Sequence, residues 1–168
     1  MSPEELLRRK PQRAVNDLAG VLSGAARNRL EEAATRLHAR TGVAVVVVTL
    51  PDLGENDIDD YTNRLYEKWG IGSSGRDEGV LLLLAVGDRR IRIETGYGSE
   101  GYLPDLRAAE LIREATPELA RGKWDAGLSR MFGGVVELVA AEHDMSVDQA
   151  LGGGSAPVRR RPRRSCSP

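Results

Sequence analysis

At 168 residues, 40% hydrophobic and 29% charged, the chain has the length of one domain with tails and can bury a core without staples. Five of its 24 basic residues and none of its 25 acids lie in 152–168, so 1–151 holds 19 basic against 25 acidic residues. This acidic body argues against nucleic acid as a partner, the lone Cys166 in the tail rules out an intrachain disulfide, and no apolar run approaches the length of a membrane span.

Met1 to Gln12 is polar apart from Leu6-Leu7, far short of a signal-peptide core, and is expected as an N-terminal tail. As written the chain is expected to be soluble, and a monomer. A helix starts at the N-cap residue Ser23, carries Ala26, Leu30, Ala33 and Leu37 on one face and stops at Gly42. The β-branched run Val43 to Leu50 lacks alternation and reads as a strand covered on both faces, as in a parallel sheet. Asp57 opens a second helix, with Asp59 and Asp60 where the helix dipole favours negative charge and Ile58, Tyr61, Leu65 and Trp69 as its stripe. The next apolar strand is Val80 to Val86, and strand–helix–strand order implies parallel pairing.

Gly87-Asp88 reads as a two-residue hairpin turn of the glycine-first kind. It leads into Arg90-Ile91-Arg92-Ile93-Glu94, whose clean alternation places it at an edge, with Glu94 in an edge ion pair. A third helix begins with Pro104 at N1 and is interrupted near Pro117. A fourth runs from about Lys123 to Ala141 with Trp124, Leu128, Met131, Val135 and Leu138 inward. Its glycines, Gly127, Gly133 and Gly134, are read as close packing of helix on sheet. Ser146 and Gln149 form a capping box for a short last turn. The domain is therefore expected over 13–150, followed by a flexible Gly/Arg/Pro-rich tail over 151–168.

Direction along the strands brings two glycine-rich loops together. The third strand runs back beside the second, so 96–103 returns to the place where 70–79 already lies. Asp77, Glu78, Glu100 and Asp105 are thereby expected to converge. Oxygen ligands with almost no histidine suit a hard divalent cation, calcium or magnesium. Glycines let the backbone wrap tightly around something small. The alternative is that both loops are tight turns with solvated acids. Asp52 and Glu55 follow the first apolar strand and belong to the opposite end.

Other motifs fail on context. Gly96-Tyr97-Gly98-Ser99-Glu100-Gly101 matches GxGxxG, but it follows a charged edge strand, and Glu100 has the wrong sign for a pyrophosphate. Gly72 to Gly79 lacks the Gly-Lys-Ser/Thr ending of a P-loop, and Asp57-Ile58-Asp59-Asp60-Tyr61 lacks the last residue of an aspartyl-phosphate motif. His38 and His143 read as ordinary helix residues, Trp69 and Trp124 as core. Ser73, Ser74 and Ser99 have no visible histidine partner for triad chemistry. Metal-assisted hydrolysis is the catalysis left over, with Asp77 on the cation and Arg76 holding a phosphate.

Val15 to Ser23, Thr41-Gly42 with its valine strand, YTNRLYEKWGIG over 61–72, Asp77 to Leu82, Arg92 to Gly101 and Leu103-Pro104-Asp105 together resemble the TPM domain family, over about residues 13 to 143. That family includes thylakoid-lumen proteins linked to photosystem II repair and bacterial envelope proteins. The resemblance implies a three-layer α/β/α sandwich on a small mixed sheet, a parallel βαβ unit with an antiparallel hairpin edge. It also implies acidic loops that bind calcium or another divalent ion through Asp77, Glu100, Asp105 and then Glu78, which stands where an amide is common in the family. Acid phosphatase activity is ascribed to some members. Many members carry a signal peptide and a membrane helix, so the resemblance points to an extracytoplasmic or membrane-anchored setting, although neither segment appears here. Two functions follow as expectations: a non-catalytic interaction module with a membrane-protein partner, and a low-specificity metal-dependent phosphomonoester hydrolase.

Overall fold

The computed structural model describes residues 1–11, 13–72 and 77–152. Four strands, β1 (Val15–Asp17), β2 (Ala44–Leu50), β3 (Gly79–Ala85) and β4 (Arg90–Thr95), form one sheet in that order. The first three run parallel, and β4 is antiparallel to β3. Because successive side chains of a strand face opposite ways, the unbroken apolar runs of β2 and β3 serve two cores at once. Val45, Val47, Val80, Leu82 and Leu84 face α2 (Gly24–Thr41), α4 (Asp105–Ala120), α5 (Trp124–Glu142) and α6 (Val147–Ala150). Val46, Val48, Leu50, Leu81 and Leu83 face α1 (Pro3–Arg8) and α3 (Ile58–Trp69). Each of these buried side chains contributes roughly 1.5–3 kcal/mol. The result is the expected three-layer α/β/α arrangement on a mixed sheet. Among the described residues, no helix is long and apolar enough to cross a membrane.

The helix signals are realised by specific bonds. Ser23 Oγ accepts from the Ala26 amide, and the Asp57 carboxylate accepts from that of Asp60. Gly42 (φ 78°) and Gly70 (φ 62°) take the left-handed conformation that ends a helix. The Ser146–Gln149 capping box is formed in both directions.

Five local readings are corrected. Pro3–Arg8, placed in a tail, is a helix with its own Ser2–Glu5 capping box. Its Leu6 is buried, and its backbone is tied down by α3: Tyr61 Oη donates to Pro3 O at 2.8 Å and Trp69 Nε1 to Leu6 O at 3.2 Å. Six residues are too few to show periodicity, so tertiary bonds decide. β1, shorter still at three residues, was not anticipated. The Glu31 carboxylate holds its start through the Ala14 and Val15 amides, and Asp17 accepts from Thr49 Oγ1 at 2.6 Å.

The hairpin turn is not two residues but four, 86–89, because Ala85 pairs with Arg90. Arg89, not Gly87, has the positive φ, at 53°. Gly87 is small for another reason: its amide donates to Pro51 O at 2.7 Å, and an added Cβ would lie 2.5 Å from that oxygen. Pro117 does not interrupt α4. It lies on the exposed side near the helix end, where water can satisfy the carbonyl it leaves unbonded. Pro104 is the N-cap of that helix and Asp105 its first residue.

The glycines of α5 pack helix on helix, not helix on sheet. A Cβ at Gly127 would come within 2.4 Å of Leu119 and one at Gly134 within 2.3 Å of Leu111, both on α4, whereas Gly133 has nothing within 4 Å. Gly133→Ala is therefore expected to stabilise the protein by about 1 kcal/mol through helix propensity alone. Gly127→Ala should be destabilising. Thermal melts of the two variants check the contrast.

Candidate functional site

The antiparallel return of β4 brings the two glycine loops to one end of the sheet. Val80 pairs with Thr95, and one step further the Gly96 amide donates to Gly79 O at 3.1 Å. The Gly98 amide then donates to Asp77 O, also at 3.1 Å. Residues 96–103 coil on themselves, with Ser99 O accepting from the Leu103 amide at 2.9 Å, and deliver the chain into α4. Asp52 is at the far end as expected: its Cβ is 3.8 Å from where a Cβ on Gly87 would sit. At that end Asp88 accepts from the Leu53 amide.

The small object that the glycines enclose is a tyrosine hydroxyl from α3. Tyr66 Oη donates to Asp77 Oδ1 at 3.2 Å, and the Tyr97 amide donates to Asp77 Oδ2 at 3.2 Å. A Cβ built on Gly96 would stand 2.4 Å from Tyr66 Oη and 2.3 Å from Asp77 O. One on Gly79 would stand 2.6 Å from the same hydroxyl, and one on Gly72 2.7 Å from Gly79 N. Asp77 itself sits at φ 53°, a left-handed conformation that aspartate tolerates better than most residues. Burial, and then the charge of Asp77, push the Tyr66 phenol well above its ordinary pKa. The phenol stays a donor, and Asp77 stays its acceptor.

Glu78 turns to the other face. Its Oε2 lies 3.7 Å from His143 Nε2, just past the end of α5. That nitrogen is buried and makes no hydrogen bond among the described residues. Tyr102, on the same side, has its phenol raised by burial against the pull of its hydrogen bond to Ser99 Oγ. Glu100 and Asp105 are exposed. The sequence thus brings the two loops together but does not gather the four carboxylates: Asp77 and Glu78, adjacent in the chain, serve opposite layers. Among the described residues no three of His, Cys, Asp and Glu stand where they could hold a metal ion. The four acids do not fit one cation site. Arg76 lies outside the described residues.

What this end does present is apolar surface beside acid. Tyr97 is 85% exposed and Leu106, in the first turn of α4, 70%. Neither attracts notice in sequence, where Tyr97 is only the x of a glycine motif. Tyr66 was also missed. Its signal was a tyrosine beside Leu65 on the apolar face of α3, since a buried phenol must find an acceptor. The Arg92–Glu94 ion pair of the edge strand is present at 3.5 Å, with Asp59 of α3 also 3.5 Å from Arg92.

Comparison with known proteins agrees with this architecture. The family model described as "TPM domain" matches residues 15–138. A curated relative, UPF0603 protein YdjH of Bacillus subtilis (strain 168), is 27% identical over 109 residues, 65% of this chain but only 41% of its own length. The chain thus spans less than half of that relative. A solution NMR structure of the N-terminal domain of a protein from P. gingivalis superposes with a TM-score of 0.77 at 32% identity, covering 86% of this chain and 95% of that one. The N-terminal domain of the cg2496 protein of Corynebacterium glutamicum gives a TM-score of 0.59 at 16% identity over 90% and 89% of the two chains, a likeness of fold alone.

Proposed function

The chain belongs to the TPM domain family, and within it we propose that the loop end is a docking surface of a non-catalytic interaction module. The observation that carries this reading is the exposure of Tyr97, Glu100, Asp105 and Leu106 along one stretch of chain, 97–106, whose start Asp77 ties to Tyr66. A tyrosine on a preordered loop offers large contact area at small entropic cost. The acids choose a partner segment that is basic as well as apolar, such as the flank of a membrane protein. They repel an anionic bilayer.

Asp77 has a structural occupation in this reading, so the loops need no reaction to explain their glycines. A photo-crosslinking residue at position 97, in cells that express the protein, should capture one discrete partner. Leu106→Ser should abolish the adduct with the melting temperature unchanged. Turnover of a generic phosphomonoester that disappears in Asp77→Asn at full folding would replace this reading with the hydrolase one.

A divalent cation, calcium before magnesium, remains a proposal for this end, drawing on Glu100 and Asp105 with backbone carbonyls. Calcium that binds only the folded chain raises its melting temperature. Equal shifts in the wild type and a Glu100→Gln/Asp105→Asn variant would remove the cation from the reading.

A further inference from the structure

At the end of the sheet opposite the loops, a cavity of about 620 Å³ opens between the 86–89 turn, the last turns of α4 and the start of α5. Its volume is that of a small-molecule site, which typically spans about 300–1,000 Å³. The walls are apolar, with Leu84 of the sheet, Ile112 and Leu119 of α4, and Trp124 of α5. Thr116 supplies a hydroxyl and Arg89 the one charge of the lining. Arg89 is held at φ 53°, a conformation that an arginine rarely adopts.

Charge around the mouth is mixed, but the lining itself contributes only the guanidinium of Arg89. Arg90, Arg121 and Lys123, neighbours of lining residues in the chain, are exposed, and with Arg89 they form no ion pair among the described residues. The nearby acids are turned to other partners and, among the described residues, are in no ion pair with Arg89. Asp88 accepts from the Leu53 amide, Asp125 from that of Ser23, and Glu118 pairs with Arg130. An apolar chamber with a guanidinium in no ion pair at its lip is complementary to an apolar molecule with an anionic head.

We propose that this cavity binds a small amphipathic monocarboxylate, such as a medium-chain fatty acid, with its tail against Leu84, Ile112, Leu119 and Trp124 and its carboxylate on Arg89. The site is independent of the loop end and of the docking role argued for it. Hydrocarbon burial supplies the affinity, and the guanidinium selects anion over alcohol or amine.

The test titrates the full chain with decanoate, decanol and decyltrimethylammonium, reading heat and the NMR signal of the Trp124 indole. Decanoate should saturate at one equivalent, move that signal, and bind about tenfold more tightly than decanol. Arg89→Gln, an exposed change that leaves the cavity walls intact, should reduce decanoate to the level of decanol and leave decanol unchanged. Thr116→Trp, which fills the chamber, should abolish both. Equal binding of decanoate to wild type and Arg89→Gln, no saturable binding, or signal changes that spare Trp124 would each overturn the proposal.

Discussion

Gly96→Ala is expected to cost about 3 kcal/mol or more of stability, at the upper end of what overpacking does. The added methyl would stand 2.3 Å from Asp77 O, 2.4 Å from Tyr66 Oη and 2.5 Å from Asp77 Oδ1. A flexible side chain could swing away from such a contact. A backbone carbonyl that already accepts from the Gly98 amide cannot, so the loop must part from the strand beside it. Gly101 provides the control. It lies in the same loop with nothing within 4 Å of its would-be Cβ and without a positive φ. Its alanine variant should stay within about 0.5 kcal/mol of wild type. Denaturant titrations of the two variants decide the matter, and equal midpoints would mean that the loops do not meet as described.

The second large effect is a loss of stability in alkali. Burial foremost pushes up the phenols of both Tyr61 and Tyr66, aided by the charges of Glu4 and Asp77 respectively. Both are raised in the folded protein, so both remain protonated there while the unfolded chain ionises near the ordinary value of about 10. The stability they contribute is therefore fully present below about pH 10 and is lost as pH climbs from there toward the raised folded values. Within that window each should reduce stability by about 1.4 kcal/mol per pH unit, or about 3 for the pair, with Tyr102, also raised by burial, adding to the loss. Chemical denaturation at about pH 9 and about pH 11 measures the slope. Tyr61→Phe should remove about 1.4 kcal/mol per pH unit of it, since phenylalanine has no proton to lose. An unchanged slope in that variant would show that other groups drive the loss.

Much of the fold could be read before any coordinates, and the reasons are local. Unbroken apolar runs at 44–50 and 79–85 announce strands covered on both faces, and Ser23, Gly42, Asp57 and Gly70 mark helix ends by chemistry that acts within four residues. Much of what escaped depends on distant partners. The α1 helix exists because Tyr61 and Trp69 bond its backbone, and β1 because Glu31 and Asp17 anchor it, none of which leaves a periodic trace. The site was half legible for the same reason. Strand direction predicted that 77 and 96–98 would meet. Which way each carboxylate turned depended on a phenol from α3 and an imidazole beyond α5, far away in the chain.

Asp77 and Glu78 share one peptide bond, yet Asp77 accepts from Tyr66 on one side of the sheet while Glu78 stands 3.7 Å from His143 on the other. The junction sits like a rivet through a plate, with one head in each outer layer. The backbone torsions of this one link thus set where carboxylates stand in both helical coats.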